Sequence, residues 1–275
     1  MKKAVWTLGI VLLAAGLLTL PGPARAEMYL EGYLGGNTAS SFDRSVRITN
    51  NADPADFVTA NLPGGPNAAV IAGLKLGTWF VPTGFLGYNY PDWMKYFGFY
   101  TDFSFHRLDA RRQQFGFFSP AGDFVGTADF HSEGTVATWA FMFAARYGFF
   151  PDADVPFGRL QPYVAVGPAI MFSTQRPKID NGAPILNNFS AGSSDSVDVA
   201  LAVDAGLRYM CLKNVSIDLS FKYRYTNPGY NYSGNLGLAA MGVTAQAALP
   251  TIPVRTTYSP TYDLFSVQLG AAYHF

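Results

Sequence analysis

The chain has 275 residues, with 19 Lys and Arg set against 19 Asp and Glu, so its formal charge is zero and no basic surface for nucleic acid is indicated. Charged residues make up only 14% and aromatics 16%, and a single cysteine, Cys211, excludes an intrachain disulfide. After the first 26 residues no run of about 18 apolar residues occurs, which excludes a membrane-spanning helix.

The N-terminus reads as a secretory leader over residues 1–26. Met1-Lys2-Lys3 is a short basic region, Ala4 to Leu20 an apolar core, and Pro21-Gly22-Pro23 breaks it. Ala24-Arg25-Ala26 then offers small residues for cleavage before Glu27. The competing reading is an uncleaved anchor, which the short core and the following cleavage site disfavour. Removing Lys2, Lys3 and Arg25 leaves a slightly acidic mature chain, 27–275, that forms one β domain. Cys211 lies far from the leader and so is no lipid attachment point.

Successive side chains of a strand point to opposite faces, and this alternation recurs down the chain. The first strand, Met28 to Gly36, sets Met28, Leu30 and Leu34 against Tyr29, Glu31 and Tyr33. A polar stretch from Asn37 to Asn67, rich in turn formers, follows. The second strand, Ala68 to Phe80, puts Val70, Leu74, Leu76 and Phe80 opposite Lys75, and a compact Pro82/Gly84/Gly87/Pro91 link leads on. The third, Trp93 to Arg107, opposes Phe97, Phe99, Phe103 and Phe105 to Gly98, Tyr100, Asp102, Ser104 and His106. Leu108 to Ser132 reads as a second long loop.

The fourth strand, Glu133 to Phe149, places Trp139, Phe141, Phe143 and Tyr147 opposite Thr138, Ala140, Ala144 and Arg146. After a Pro151 to Pro156 link, the fifth runs from Leu160 to Phe172, and a third long loop from Ser173 to Ser196. The sixth, Val197 to Tyr209, opposes Val199, Leu201, Val203, Leu207 and Tyr209 to Asp198, Asp204 and Arg208. A tight Cys211 to Asn214 turn leads to the seventh, in which Val215, Ile217, Leu219, Phe221, Tyr223 and Tyr225 oppose Ser216, Asp218, Lys222 and Arg224. The last long loop, Asn227 to Pro260, precedes a terminal strand, Thr261 to Phe275, with Phe265, Val267, Leu269, Tyr273 and Phe275 on one face.

These segments make eight strands, an even number suited to closure of an up-and-down barrel. The connections alternate long and short, which puts both termini on the side of the short turns. A sandwich has no reason to sort its loops in this way. An all-β, eight-stranded antiparallel transmembrane barrel with short periplasmic turns and long extracellular loops accounts for the pattern.

Residue size decides which face is inside. The polar face combines its charges with Gly and Ala, and an eight-stranded interior is only just wide enough for side chains to fill. The expected lumen charge network is Glu31, Lys75, Asp102, Arg146, Asp204, Arg208, Asp218, Lys222 and Arg224. Its mixed signs permit internal pairing that plugs the lumen, with the sixth and seventh strands carrying most of it. Turned inward, the aromatic face would overfill so narrow an interior; a bigger soluble barrel, with room for it in a pocket, is the alternative.

Catalysis and metal binding find little support. Asp102, Ser104 and His106 share a face, which suggests a lipid A deacylase, but all three lie along one strand on the lumen side, where an acyl chain cannot easily enter. His131 and Ser132 have opposite parity. The three histidines are dispersed and no paired-cysteine motif exists, so no metal or other cofactor is expected. Arg111-Arg112 reads as a solvated loop pair with lipopolysaccharide phosphate as its alternative partner.

The ending Gln268-x-Gly270-x-x-Tyr273-x-Phe275 resembles the C-terminal strand signal of bacterial outer-membrane barrels, which implies that Gln268, Gly270, Tyr273 and Phe275 are read by the barrel-assembly machinery. With the leader, the alternation and the loop sorting, the chain resembles the small eight-stranded barrels that include the OmpA transmembrane domain, the OmpW group and the opacity-type surface proteins. That resemblance implies the outer membrane of a Gram-negative bacterium, periplasmic termini, and lipid and lipopolysaccharide as surroundings. Unlike OmpA proper, the chain carries no peptidoglycan-binding domain after the barrel, and its interior is more polar than that of OmpW-type barrels. The expected role is structural or surface-interactive, with four long loops displayed on a plugged barrel and the extracellular ligand unnamed. A narrow conduit for small solutes is the alternative, and a lipid A-modifying enzyme a more distant one.

Overall fold

Alternation of apolar and polar side chains, sustained over eight long segments, leaves the chain one way to satisfy its backbone in lipid: a sheet closed on itself. The computed structural model describes residues 27–39, 45–55, 57–61, 66–81, 90–118, 121–180, 192–237 and 251–275. The strands are β1 (Glu27–Ala39), β2 (Ser45–Asn50), β3 (Phe57–Asn61), β4 (Ala69–Trp79), β5 (Phe97–Arg107), β6 (Ala110–Phe118) and β7 (Phe124–Arg146). They continue as β8 (Leu160–Asp180), β9 (Ser194–Leu212), β10 (Val215–Thr226), β11 (Tyr230–Gly237), β12 (Thr251–Tyr258) and β13 (Tyr262–His274).

Eight of these form the barrel, in the ring β1-β4-β5-β7-β8-β9-β10-β13, with β13 returning to β1 through an antiparallel ladder from Tyr29↔His274 to Ala39↔Leu264. Every neighbour in the ring is antiparallel. The ladder between β7 and β8 skips Phe141 and Met142 opposite Gly167 and Pro168. Pro168 has no N–H to give, and a Cβ on Gly167 would lie 1.9 Å from the Phe141 carbonyl oxygen, so the backbones press together there without a regular bond.

Sidedness follows the alternation. Val70, Leu74, Trp139, Phe143, Val166, Val199, Leu219 and Leu269 are exposed on the outer surface, whereas Glu31, Lys75, Asp204 and Arg224 are buried. A band of this kind would be untenable against water and is at home in lipid. Among the described residues no helix is long and apolar enough to cross a membrane; this chain crosses with strands.

Several sequence expectations change. Trp93 does not open the third strand: Asp92–Tyr96 forms a 3-10 turn after Pro91, with the Met94 N–H donating to the Pro91 carbonyl (2.9 Å), and β5 starts at Phe97. The fourth strand ends at Arg146 rather than Phe149, which keeps only an isolated bridge to Leu160. The turn expected at Cys211 to Asn214 shrinks to Lys213-Asn214, because a register shift at Val215/Ser216 takes Cys211 and Leu212 into β9. Pro82, Gly84, Gly87 and residues 1–26 lie outside the described residues.

The largest change is in the long loops. A membrane strand needs about 9–11 residues, yet β7, β8 and β9 have 23, 21 and 19. Their upper halves rise beyond the bilayer and carry a second tier in the order β11-β12-β2-β3-β6-β7. Each of the first, second and fourth loops contributes strands to it, so these segments are an extracellular collar with its own ladder.

Candidate functional site

The lumen is where this fold gathers its chemistry. Neighbouring strands set charges of opposite sign directly across from one another: Glu31↔Lys75, Lys75↔Asp102, Asp218↔Arg208 and Lys222↔Asp204. Glycines on adjacent strands make the room. A Cβ on Gly73 would stand 2.4 Å from the Tyr33 ring, and one on Gly206 2.6 Å from the Tyr163 ring. Each tyrosine therefore lies over its cross-strand glycine and carries its hydroxyl to an acid two strands away, Tyr33 to Asp102 and Tyr163 to Asp218.

Lys75 is the hub of the middle layer. Its Nζ lies 3.1 Å from Glu31 Oε1, 3.3 Å from Asp204 Oδ2 and 3.9 Å from Asp218 Oδ1. Arg208 shares two of these acids, through Glu31 Oε2 at 2.5 Å and Asp218 Oδ2 at 3.4 Å. The Tyr163 hydroxyl donates to Asp218 and the Tyr100 hydroxyl to Asp204, both at 2.8 Å. The Arg208 guanidinium rests 4.2 Å above the Tyr29 ring. Above this layer, Lys222 pairs with Asp102, which also accepts from the Tyr33 hydroxyl at 2.7 Å.

At the periplasmic end Arg146 makes a two-pronged pair with Glu27, both contacts 2.5 Å, and lies between the Trp79 and Phe157 rings at 4.1 and 4.0 Å. At the upper end Arg224 has only neutral acceptors among the described residues: Asn37 Oδ1 at 2.7 Å, Ser266 Oγ at 2.9 Å, and Ser104 and Thr138 hydroxyls at 3.4 Å. The nine charged residues singled out in the sequence thus all point into the barrel, each 4% exposed or less. Glu27 joins them, giving five acids (Glu27, Glu31, Asp102, Asp204, Asp218) and five bases (Lys75, Arg146, Arg208, Lys222, Arg224). The formal charges cancel. Removing one member of an ion pair in which both side chains are buried leaves its partner short of a counter-charge, at a cost of about 3–5 kcal/mol.

Most pairs cross the lumen rather than join adjacent strands. Lys222 faces Asp204 in register but bonds Asp102 on the far wall, and Asp204 in turn bonds Lys75. Barrel stagger decides this, and a sequence carries no direct signal of it. Tyr29, Tyr33, Tyr100 and Tyr163 have the parity of Glu31, Asp102 and Ala165 in their own strands, and that shared parity is the signal that marks them as lumen residues.

A packed apolar layer closes the space above the charges. Ile48, Leu108, Phe130, Tyr230, Tyr232 and Val254 are all buried in the collar. The Tyr230 hydroxyl donates to Ser173 Oγ at 2.7 Å, and its ring stacks at 6.4 Å on Tyr232 and 6.2 Å on Tyr258.

Asp102, Ser104 and His106 do not combine. Asp102 is held by Lys222 and Tyr33, Ser104 receives Arg224, and His106 Nδ1 faces Asn37 Nδ2 at 3.4 Å and the Arg107 carbonyl at 3.0 Å. No nucleophile–base pair forms among them. His131 and Ser132 diverge as parity requires, with Ser132 buried and donating to Gln175 at 2.5 Å. Among the described residues no group of three or more His, Cys, Asp or Glu could hold a metal ion.

A closed antiparallel cylinder with an apolar exterior, an ionic interior and its termini at the short-turn end defines an outer-membrane β-barrel. The model of the outer membrane protein beta-barrel domain family matches residues 10–275, and the chain belongs to that family. Its lumen holds a network of buried ion pairs. No curated protein matches the chain. Among solved structures, OprG of Pseudomonas aeruginosa is 14% identical with a TM-score of 0.47, covering 92% of this chain and 98% of its own. The outer membrane protease OmpT of Escherichia coli is 11% identical with a TM-score of 0.46, covering 94% and 99%. Neisserial surface protein A is 12% identical with a TM-score of 0.34, covering 90% and 97%.

Proposed function

We propose that the protein is a non-conducting barrel of the outer membrane whose role is structural and surface-interactive: a sealed cylinder that presents an extracellular collar for contact. The single observation that supports this is the set of buried ion pairs that join opposite walls of the lumen, Lys75 with Asp204, Arg208 with Glu31 and Lys222 with Asp102. An open aqueous path would hydrate these ions and loosen their bonds. Here they grip one another across the axis, and the collar core lies above them. Rigid scaffolds commonly carry recognition on their connecting segments, and four extracellular connections are available on this one.

In the same reading residues 1–26 are the secretory leader, and Gln268, Gly270, Tyr273 and Phe275 are the terminal residues recognised by the assembly machinery. The partners are then outer-membrane lipid and lipopolysaccharide, the assembly machinery, and a surface ligand met through the collar. Planar-bilayer recording is the test. The account expects no stable unit current at physiological salt, and large, reproducible unit currents would replace it with a solute conduit.

A further inference from the structure

The lumen ions cancel in sum but not in place. Glu31, Asp204 and Asp218 share Lys75 and Arg208, Asp102 takes Lys222, and Glu27 takes Arg146. Arg224 is left over. It is 1% exposed, and among the described residues no carboxylate lies within ion-pair distance of it. The surplus acid sits in the middle layer, and Lys222, two residues below Arg224 on β10, is already taken by Asp102. A buried cation without a counter-ion is costly.

The surroundings of Arg224 are rich in donors and short of acceptors. Its Nη2 donates to Asn37 Oδ1 and Ser266 Oγ, whereas Nη1 reaches the Ser104 and Thr138 hydroxyls only at 3.4 Å, and Nε has no partner. Asn37 Oδ1 also accepts from the Ser266 hydroxyl at 2.9 Å, so the amide is fixed with its Nδ2 turned away. A carbonyl only accepts, and the 3.0 Å contact to the Arg107 carbonyl therefore puts a proton on His106 Nδ1. Asn37 Nδ2, 3.4 Å from that nitrogen, meets a second donor there instead of an acceptor. One pleat step below Ser266, Gln268 Nε2 is buried without a partner. The neighbouring wall has the smallest side chains. Ala202 stands directly across from Arg224 and beside Gly167, with Ala200, Ala169 and Ala140 in the row above. Larger residues would fill the width that these leave in an eight-stranded interior.

We propose that the upper lumen binds one small monovalent anion, chloride, held by Arg224 Nε and Asn37 Nδ2. A single unbalanced guanidinium calls for a single negative charge. An ion that only accepts answers a set of N–H groups that lack acceptors, and a charged acceptor strengthens each of those bonds. The buried collar core closes the space above, which favours a compact ion over a polyatomic one. Enclosed as the barrel folds, the ion completes the plug from its upper side.

Urea unfolding of the protein in phosphocholine vesicles tests this, at constant potassium concentration with chloride replacing the much larger gluconate. Expected is a saturable gain in stability, about tenfold in the folding equilibrium once chloride reaches about ten times its dissociation constant. Arg224→Met removes the cation, and Asn37→Asp sets a fixed carboxylate against it. Both variants lose the chloride dependence, and Asn37→Asp is at least as stable as the wild type without chloride. The variant R111M/R112M, altered in the collar strand β6, keeps the dependence. Protein crystallised from bromide shows an anomalous peak beside Arg224 and Asn37. A wild-type midpoint indifferent to chloride overturns the proposal, leaving water as the only occupant. So does a chloride dependence retained in Arg224→Met or Asn37→Asp, or bromide confined to the exterior. No current is measured in any arm, so failure here is distinct from failure of the sealed-barrel reading.

Discussion

Replacing Lys75 by methionine removes the cation that three carboxylates share. Its Nζ sits 3.1, 3.3 and 3.9 Å from Glu31, Asp204 and Asp218, and its side chain is 1% exposed. Methionine fills nearly the same volume, so the change isolates charge from packing. Arg208 still serves Glu31 and Asp218, but Asp204 keeps only the Tyr100 hydroxyl. Stranding a buried ion costs about 3–5 kcal/mol. The exposed Lys178–Glu133 pair, with both side chains 49% exposed, gives the comparison: water and salt screen it, so Lys178→Met has a far smaller effect. Urea unfolding of the protein refolded in phosphocholine vesicles, followed by tryptophan fluorescence, reads both. Adding Asp204→Asn to Lys75→Met removes the stranded acid and recovers a substantial part of the loss, with a coupling of about 1 kcal/mol or more. Equal midpoint shifts for Lys75→Met and Lys178→Met, or strictly additive effects in the double variant, would refute the idea of a dry ionic plug.

Gly73→Val and Gly206→Val push a side chain into the rings of Tyr33 and Tyr163, where even a Cβ comes within 2.4 and 2.6 Å; each lowers stability by about 1–3 kcal/mol in the same unfolding assay. Gly36→Val, whose Cβ meets nothing within 4 Å, is far milder. Deleting Phe275 leaves vesicle refolding of purified protein intact but lowers the folded yield in cells, measured as heat-modifiable protein on gels; equal losses in both settings would remove the assembly role. In the periplasmic link, Asp152 accepts backbone N–H bonds from Val155 and Asp154 and pairs with Arg159, and these contacts hold its carboxyl below the ordinary value of 3.8. Because the shift is downward, the turn is held fully above that value and loosens as the pH falls below it. Amide exchange at Val155 and Asp154 therefore quickens selectively in acid, and Asp152→Asn abolishes the pH dependence.

The barrel was legible because pleat parity needs no partner: Asp198, Asp204 and Arg208 alternate with Val199, Val203 and Leu207 within one strand, whatever lies beside it. Pairing depends on geometry that one strand does not contain. Lys222 reaches Asp102 across 120 positions of sequence only because barrel stagger brings β10 and β5 face to face over the axis. Glu27 escaped notice for a different reason, since it stands at the expected cleavage point, ahead of the alternating run. The collar strands were hidden by composition. Ser45 to Asn50 alternates weakly and is flanked by Asn, Asp and Pro, which read as loop, and it becomes β2 only through ladders to β3 and to the distant β12. Trp93 shows the opposite error: an aromatic two residues after Pro91 has strand parity with Phe97, yet the backbone between them coils into a 3-10 turn.

The central claim is that rings face lipid and ions face the axis, and two tryptophans report on it directly. Trp139 is 43% exposed on the outer wall, and Trp79 is 3% exposed within the barrel, 4.1 Å from the Arg146 guanidinium. Single-tryptophan variants retaining one or the other are refolded into vesicles of brominated phosphatidylcholine, whose acyl bromines quench only rings that touch the chains. The account predicts strong quenching of Trp139 and little of Trp79. Comparable quenching of both, or a quenched Trp79 beside a protected Trp139, would contradict it.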